Sequence, residues 1–328
     1  MNDVTSLEAV VTEYSDRISA ELDFLFANEL PASLSEPIPY SIEPEEYRLR
    51  ATLLLLVADT FEIEKDKTED IIPAALAVEL SYILSVAHDD VIKQSERRQG
   101  KPLVDTKQDQ SIAILAGDAL FPKALEILLE TDAPAEDLIV CQRNLLRGCR
   151  HVFEGQMLSC SLNSHESATE TTYLKMLRLK TGSLFASSAY IGAILAGKDT
   201  CIAHQLAEYG RHIGVAFHIY HNIRKVTREP DLAGTISSRN LEPVNIMTIH
   251  AHQYGVDVPA LLEGTDEAYD SLISELKSVG SIAYAQDRVT EYVWIAQRSL
   301  NQLSEPLKEH HLYELGNAIT DDFVTSYS

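Results

Sequence analysis

Glycine and proline are sparse in this chain, 14 and 12 of 328 residues, which argues against a loop-rich or collagen-like architecture. Strand signals are missing too. No alternating run of valine, isoleucine and threonine is closed by an Asn-Gly or Asp-Gly turn, so hairpins are not expected. The four cysteines, Cys141, Cys149, Cys160 and Cys201, form no C-x-x-C pair. That pattern excludes a zinc ribbon and suits reduced, mostly buried thiols of a cytosolic protein. Cations are in deficit: Lys and Arg number 27 against 50 Asp and Glu, a formal charge of −23. Attraction to nucleic acid or anionic lipid would be reversed in sign, and the excess reads as a solvated acidic surface or as adaptation to a saline cytoplasm. No uninterrupted apolar run reaches the roughly 18 residues of a membrane span. The opening "MNDVTSLEAVV" has neither a basic n-region nor a signal-type apolar core. A cytoplasmic protein without a membrane span is expected.

What the chain has is long apolar-periodic segments rich in alanine and leucine, the signature of helices. Residues 5–29 read as an amphipathic helix, followed by the proline-rich loop "LPASLSEPIPYSIEPEE". "YRLRATLLLLVADTF" is apolar on most sides and is expected to be buried. "TEDIIPAALAVELSYILSVAHDDVI" forms a third helix, with further helices over 110–130, 135–165, 168–197 and 202–226, and three or four more over 244–328. No composition shift or fixed-period repeat marks a boundary, so residues 1–328 are expected to form a single all-α domain. Asp89 and Asp90 fall near the carboxyl end of the third helix. The helix dipole disfavours anions there, so a metal or a cationic side chain is expected as their partner.

Several segments together resemble the all-trans prenyl diphosphate synthases, the polyprenyl synthetase family. In chain order they are "EEYRLRATLLLL", "ELSYILSVAHDDVIK", "RRQGKP", "AGDALF", "EGQ", "LKTGSLF" and "YGRHIGVAFHIYHNIRK". The resemblance implies an isoprenoid synthase-type helical bundle around a deep central cavity. In that family two aspartate-rich motifs face each other and hold magnesium, which holds an allylic diphosphate. Hard carboxylate oxygens suit that ion.

This chain departs from the pattern. The first motif keeps Asp89 and Asp90 but has Lys93 in the third place. In the second, His221 and Asn222 replace the paired aspartates, Lys225 the third, and His218 the preceding glutamine. At the positions matching the isopentenyl site, Tyr47, Tyr82 and Gln99 stand for a lysine, a histidine and an arginine, and Asn240 for a further lysine. Arg48, Arg50, Arg97, Arg98, Gln156, Lys180 and Thr181 remain as candidate diphosphate contacts, while Ser159 replaces an aspartate usual after Gln156. Leu84 and Ser85 occupy the positions that set pocket depth by analogy, and neither is aromatic.

Two opposite charges about 4 Å apart gain roughly 4 kcal/mol at an effective dielectric near 20. On that ground Lys225, with Lys93, is expected to pair Asp89 and Asp90 where metal would sit. The expectation is then a non-catalytic or weakly active member, with no cofactor, that dimerises with itself or with a catalytic paralogue. An active trans-prenyltransferase using Mg²⁺, and an isoprenoid-binding protein without chemistry, are the alternatives. His88, His218 and His221 with Asp89 could ligate a transition metal, but histidines lining a helical pocket are more often simply hydrogen-bonded. Tyr47 and Tyr82 could stack on a ligand or serve the core. Arg97 and Arg98 read equally as a phosphate fork or a solvated pair, and Asp118 as structural.

Overall fold

The structure, a computed structural model, describes residues 6–31, 48–61, 65–92, 97–98, 101–102, 107–162, 168–227, 241–262, 266–303 and 311–320. Two helices sit at the centre because they have no polar face. In α2 (Leu49–Asp59) every residue except Asp59 is buried, and in α7 (Gly182–Leu195) every residue except Leu195. They pack backbone to backbone: a Cβ at Gly192 would lie 2.4 Å from the Leu54 carbonyl oxygen, so only glycine permits this crossing.

The surrounding helices are α1 (Leu7–Asn28), α3 (Lys65–Ile92), α4 (Lys107–Leu128), α5 (Ala135–Ser161), α6 (Glu170–Lys180) and α8 (Thr200–Thr227). The carboxyl-terminal part adds α9 (Ile246–Gln253), α10 (Val258–Leu262), α11 (Asp266–Ser278), α12 (Ser281–Asn301) and α13 (His311–Thr320). Helix α8 packs against both α7 and α12, and α3 against α4. Helix α12 shows why: Ala285, Val289, Tyr292, Val293, Ala296 and Leu300 recur at helical spacing and are buried. Helix starts are capped as the sequence allows. Ser6 and Thr169 accept from backbone amides three residues on, and Asn245 with Thr248 forms a reciprocal capping box.

The segment 68–92 is the expected third helix, begun at Lys65. By length and composition alone Thr68–Ile92 could cross a membrane, but 78% of its most apolar stretch is buried within the fold, as in a core helix. The expected single helix over 168–197 is instead two, broken at Thr181, which lies between them as the C-cap of α6 and the N-cap of α7. Five helices rather than three or four lie in the described part of 244–328. A two-residue antiparallel ladder, unexpected from the sequence, pairs β1 (Arg97–Arg98) with β2 (Lys101–Pro102).

Candidate active site

A cavity of about 330 Å³ opens between the carboxyl end of α3, the second half of α5, the α6–α7 junction and α8. The junction is placed by a close approach. A Cβ at Gly155 would meet the Lys180 amide nitrogen at 2.3 Å, so "EGQ" on α5 and "LKTG" on α6 are fitted to one another. That contact brings Gln156 and Lys180 to the same carboxylate: Gln156 Nε2 donates to Asp89 Oδ1 at 2.6 Å, and Lys180 Nζ lies 3.3 Å from the same oxygen. The Lys180 and Asp89 side chains are only 14% and 18% exposed, so solvent screens the pair weakly.

Arg50 reaches the cavity from α2. Its guanidinium lies 3.4 Å above the Tyr82 ring and 4.9 Å from Phe185, a stacking that fixes the plane of the donor fork. Tyr82 thus stacks on an arginine of its own chain. On the α8 wall, His218 Nδ1 is 3.0 Å from Thr181 Oγ1 and its Nε2 is 3.2 Å from Glu242 Oε2. Asn222 is buried and its amide nitrogen donates to the Tyr173 hydroxyl at 3.4 Å. Burial, and then the Glu242 carboxylate nearby, push the Tyr173 hydroxyl well above its ordinary pKa. His221 and Lys225 line the same wall.

Asp89 therefore has a cation beside it, as expected of an acid at a helix end, and one such cation is Lys180. Lys180, delivered there by the Gly155 contact, was not among the cations expected at Asp89, which were Lys225 and Lys93. Lys225 faces the cavity from α8, and Lys93 lies outside the described residues, as do Tyr47, Gln99 and Asn240. Of Arg97 and Arg98 only the backbone is described. Arg48 does not line the cavity. It adopts a left-handed backbone with φ 45° and turns to Glu79, 3.6 Å away, and to Ser19. Ser85 lines the cavity, whereas Leu84 is buried beside Gly117. Asp90 is half-buried and not among the lining residues.

His88 Nε2 lies 3.2 Å from Asp118 Oδ1. Among the described residues no three of His, Cys, Asp and Glu gather into a metal-binding group, so the transition-metal alternative built on His88, His218, His221 and Asp89 has no cluster behind it. Sequence reasoning missed Glu242 altogether. It follows Asn240 by two residues, and a carboxylate beside positions matched to a phosphate site was the available signal. Cys160 and Met157 were missed as lining residues too.

The lining carries Arg50, Lys180 and Lys225 against Asp89 and Glu242. Counted over the described residues, with the histidines neutral, this lining is net positive, although the whole chain carries −23. A helical bundle around a cavity lined by apolar side chains and by cations is the architecture of an isoprenoid synthase-type protein. Residues 31–253 match the polyprenyl synthetase family. The geranylgeranyl diphosphate synthase of Methanosarcina mazei is 31% identical over 89% of this chain and 90% of its own. The geranylfarnesyl diphosphate synthase of Natronomonas pharaonis is 29% identical over 93% and 94%. A geranylgeranyl pyrophosphate synthetase structure from Geoglobus acetivorans superposes with a TM-score of 0.81, at 29% identity over 95% of this chain and 99% of that one. The chain belongs to the polyprenyl synthetase family. Relatives that are named as synthases favour the active alternative over the non-catalytic reading.

Proposed function

We propose that the protein, a single domain over residues 1–328, is a trans-prenyltransferase that condenses isopentenyl diphosphate with an allylic diphosphate. The observation that carries this reading is an apolar-walled cavity whose described lining is net positive in a strongly acidic chain. Breaking the allylic C–O bond leaves its electron pair on the diphosphate, and positive charge held around that leaving group lowers the barrier. Lys180, Lys225 and Arg50 supply it. The double bond of isopentenyl diphosphate then attacks the allylic carbon, and a proton is lost to form the new double bond. Leu184, Phe217, Val152 and Phe153 line the remaining wall and keep water from the cation.

Of the two motif aspartates Asp89 lines the cavity, and its carboxylate could give one ligand to a magnesium ion, which takes one or two carboxylates and completes its shell with water and the ligand's phosphate oxygens. Bound there, it would add charge stabilisation to the leaving diphosphate. The α8 wall does not offer the same fit: the Asn222 amide nitrogen is committed to Tyr173, and Lys225 is a cation.

A second copy of the chain is the partner this reading calls for. Ile139 and Leu146 share one face of α5 and are 55 and 38% exposed, an apolar pair that a partner helix would cover. The α8 wall gives the second reading its support: an isoprenoid diphosphate bound without turnover. Purified protein incubated with Mg²⁺, isopentenyl diphosphate and allylic diphosphates of several lengths decides between them. Elongated products support prenyl transfer; tight binding without product supports the second reading.

A further inference from the structure

Tyr82 stands where the family pattern has a histidine, and in this chain its ring serves an arginine. Arg50 is 5% exposed. Its guanidinium carbon lies 3.4 Å from the centroid of the Tyr82 ring and 4.9 Å from that of Phe185. Tyr82 comes from α3 and Phe185 from α7, so rings from two helices grip one side chain. The Phe185 ring cannot shift: it is 1% exposed, a Cβ at Gly214 would lie 2.9 Å from it, and one at Gly210 would lie 2.4 Å from the Phe185 carbonyl oxygen. Arg50 and Tyr82 both line the cavity. Arg48, two residues earlier, also docks on α3, but on the carboxylate of Glu79, 3.6 Å away. The difference matters for charge. A carboxylate neutralises a guanidinium, whereas an aromatic face orients it without neutralising it. A histidine in the place of Tyr82 would, when protonated, repel the arginine.

We infer that Tyr82, together with Phe185, is a positioning residue that presents the N–H edge of Arg50 to a diphosphate entering the cavity. The inference deepens the prenyltransferase reading and rests on it. A diphosphate accepts best along the edge of a guanidinium, through parallel N–H bonds, and stacking fixes where that edge points. A long side chain ordinarily gives up rotamer freedom when it grips a ligand. Here the rings have already taken that freedom from Arg50, so less affinity is lost on binding. The ring face carries the effect rather than the hydroxyl, so Tyr82→Phe should preserve it and Tyr82→Leu should not. Both substrates of the proposed reaction carry the same headgroup, and separate titrations tell which of the two Arg50 holds.

A double-mutant cycle on the full chain tests this. Binding is read by calorimetry without divalent metal, with isopentenyl diphosphate and dimethylallyl diphosphate titrated separately. Arg50→Met should weaken the ligand that Arg50 holds by about 10- to 100-fold. Tyr82→Leu should weaken the same ligand about tenfold, and Tyr82→Phe should keep it within about twofold of the wild type. Adding Tyr82→Leu to Arg50→Met should then cause almost no further loss, because the ring acts only through the arginine. A further tenfold loss in the double variant, or equal losses in Tyr82→Leu and Tyr82→Phe, overturns the inference. So does an Arg50→Met protein that binds both ligands as the wild type does. A second measurement needs no change at Tyr82. In protein labelled with ¹⁵N-arginine, the Arg50 Nε–H resonance, identified by its loss in Arg50→Met, should be shifted upfield of the exposed arginines by the Tyr82 ring and should move when the ligand is added. An Arg50 resonance at the exposed position in the ligand-free protein also overturns the inference. Product formation by the wild type tests the prenyltransferase reading by itself: no elongated product defeats that reading, while the binding cycle still decides the role of Tyr82.

Discussion

The contact that most directly links the fold to the chemistry is Lys180 on Asp89. At 3.3 Å and an effective dielectric near 20, the gross attraction is about 5 kcal/mol. Desolvation of both groups takes back much of this, and Gln156 still holds the same oxygen in the absence of the lysine. A net value of about 1.5–3 kcal/mol is usual for a hydrogen bond between charged groups. Magnesium approaching Asp89 must displace or share that oxygen with the ammonium, and is repelled by it. Replacing Lys180 with methionine removes the competitor at similar length. The divalent affinity of the ligand-free protein should therefore rise about tenfold or more, since 1.4 kcal/mol is a factor of ten. Affinity for inorganic pyrophosphate should fall by a similar factor, because a cation is lost from its site. Titration calorimetry with Mg²⁺ alone, and then with pyrophosphate, measures both. Opposite signs are the prediction. A variant in which Mg²⁺ affinity is unchanged or falls would show that Lys180 does not guard Asp89, and would refute the electrostatic reading of the pair.

Cys160 is exposed and lines the cavity, whereas Cys141 and Cys149 are buried. Burial pushes the Cys141 thiol up to about 12, so a thiol reagent at neutral pH should modify Cys160 and Cys201, and an allylic diphosphate should protect Cys160 alone; peptide mapping by mass spectrometry shows which. Burial holds His212 below its ordinary value near 6.5, and the Arg178 guanidinium, 3.3 Å from Nε2, adds to this against the opposing hydrogen bond to the Glu208 carbonyl. The neutral form is the folded one, so its contribution is complete above about pH 6.5 and is lost as pH falls through the depressed value, with a slope of at most about 1.4 kcal/mol per pH unit for one proton. Thermal melts from neutral to mildly acidic pH should show that loss, reduced in His212→Gln; an equal slope in both would count against it. Ile139→Glu with Leu146→Glu should halve the mass seen by light scattering if this face of α5 lies between two copies. An unchanged mass would place the contact elsewhere.

The helical architecture was legible because periodicity and capping are local. The break at Thr181 was not. "LRLKTGSLFASSAY" keeps a continuous apolar pattern, and the constraint is tertiary: a Cβ at Gly182 would lie 2.9 Å from the Arg211 carbonyl oxygen. Asp89, Gln156, Lys180 and Thr181 were identified as site candidates from their motifs, but which cation meets Asp89 depended on the Gly155 contact across two helices. Arg48 and Arg50 look alike in sequence. One left-handed residue at the start of α2 sends the first to Glu79 and leaves the second in the cavity. Glu242 escaped notice because it sits outside any helix, where no periodicity marks a facing residue.

The central claim is that a cavity lined by Arg50, Lys180 and Lys225, with Asp89 as its lining motif aspartate, still ionises an allylic diphosphate. The most direct measurement is product formation by the wild type and by Asp89→Asn, with isopentenyl diphosphate and an allylic diphosphate, across a titration of Mg²⁺. The account predicts a chain-elongated diphosphate whose yield rises with Mg²⁺ and collapses in the variant. Saturated binding of the allylic diphosphate with no elongated product from the wild type would contradict it.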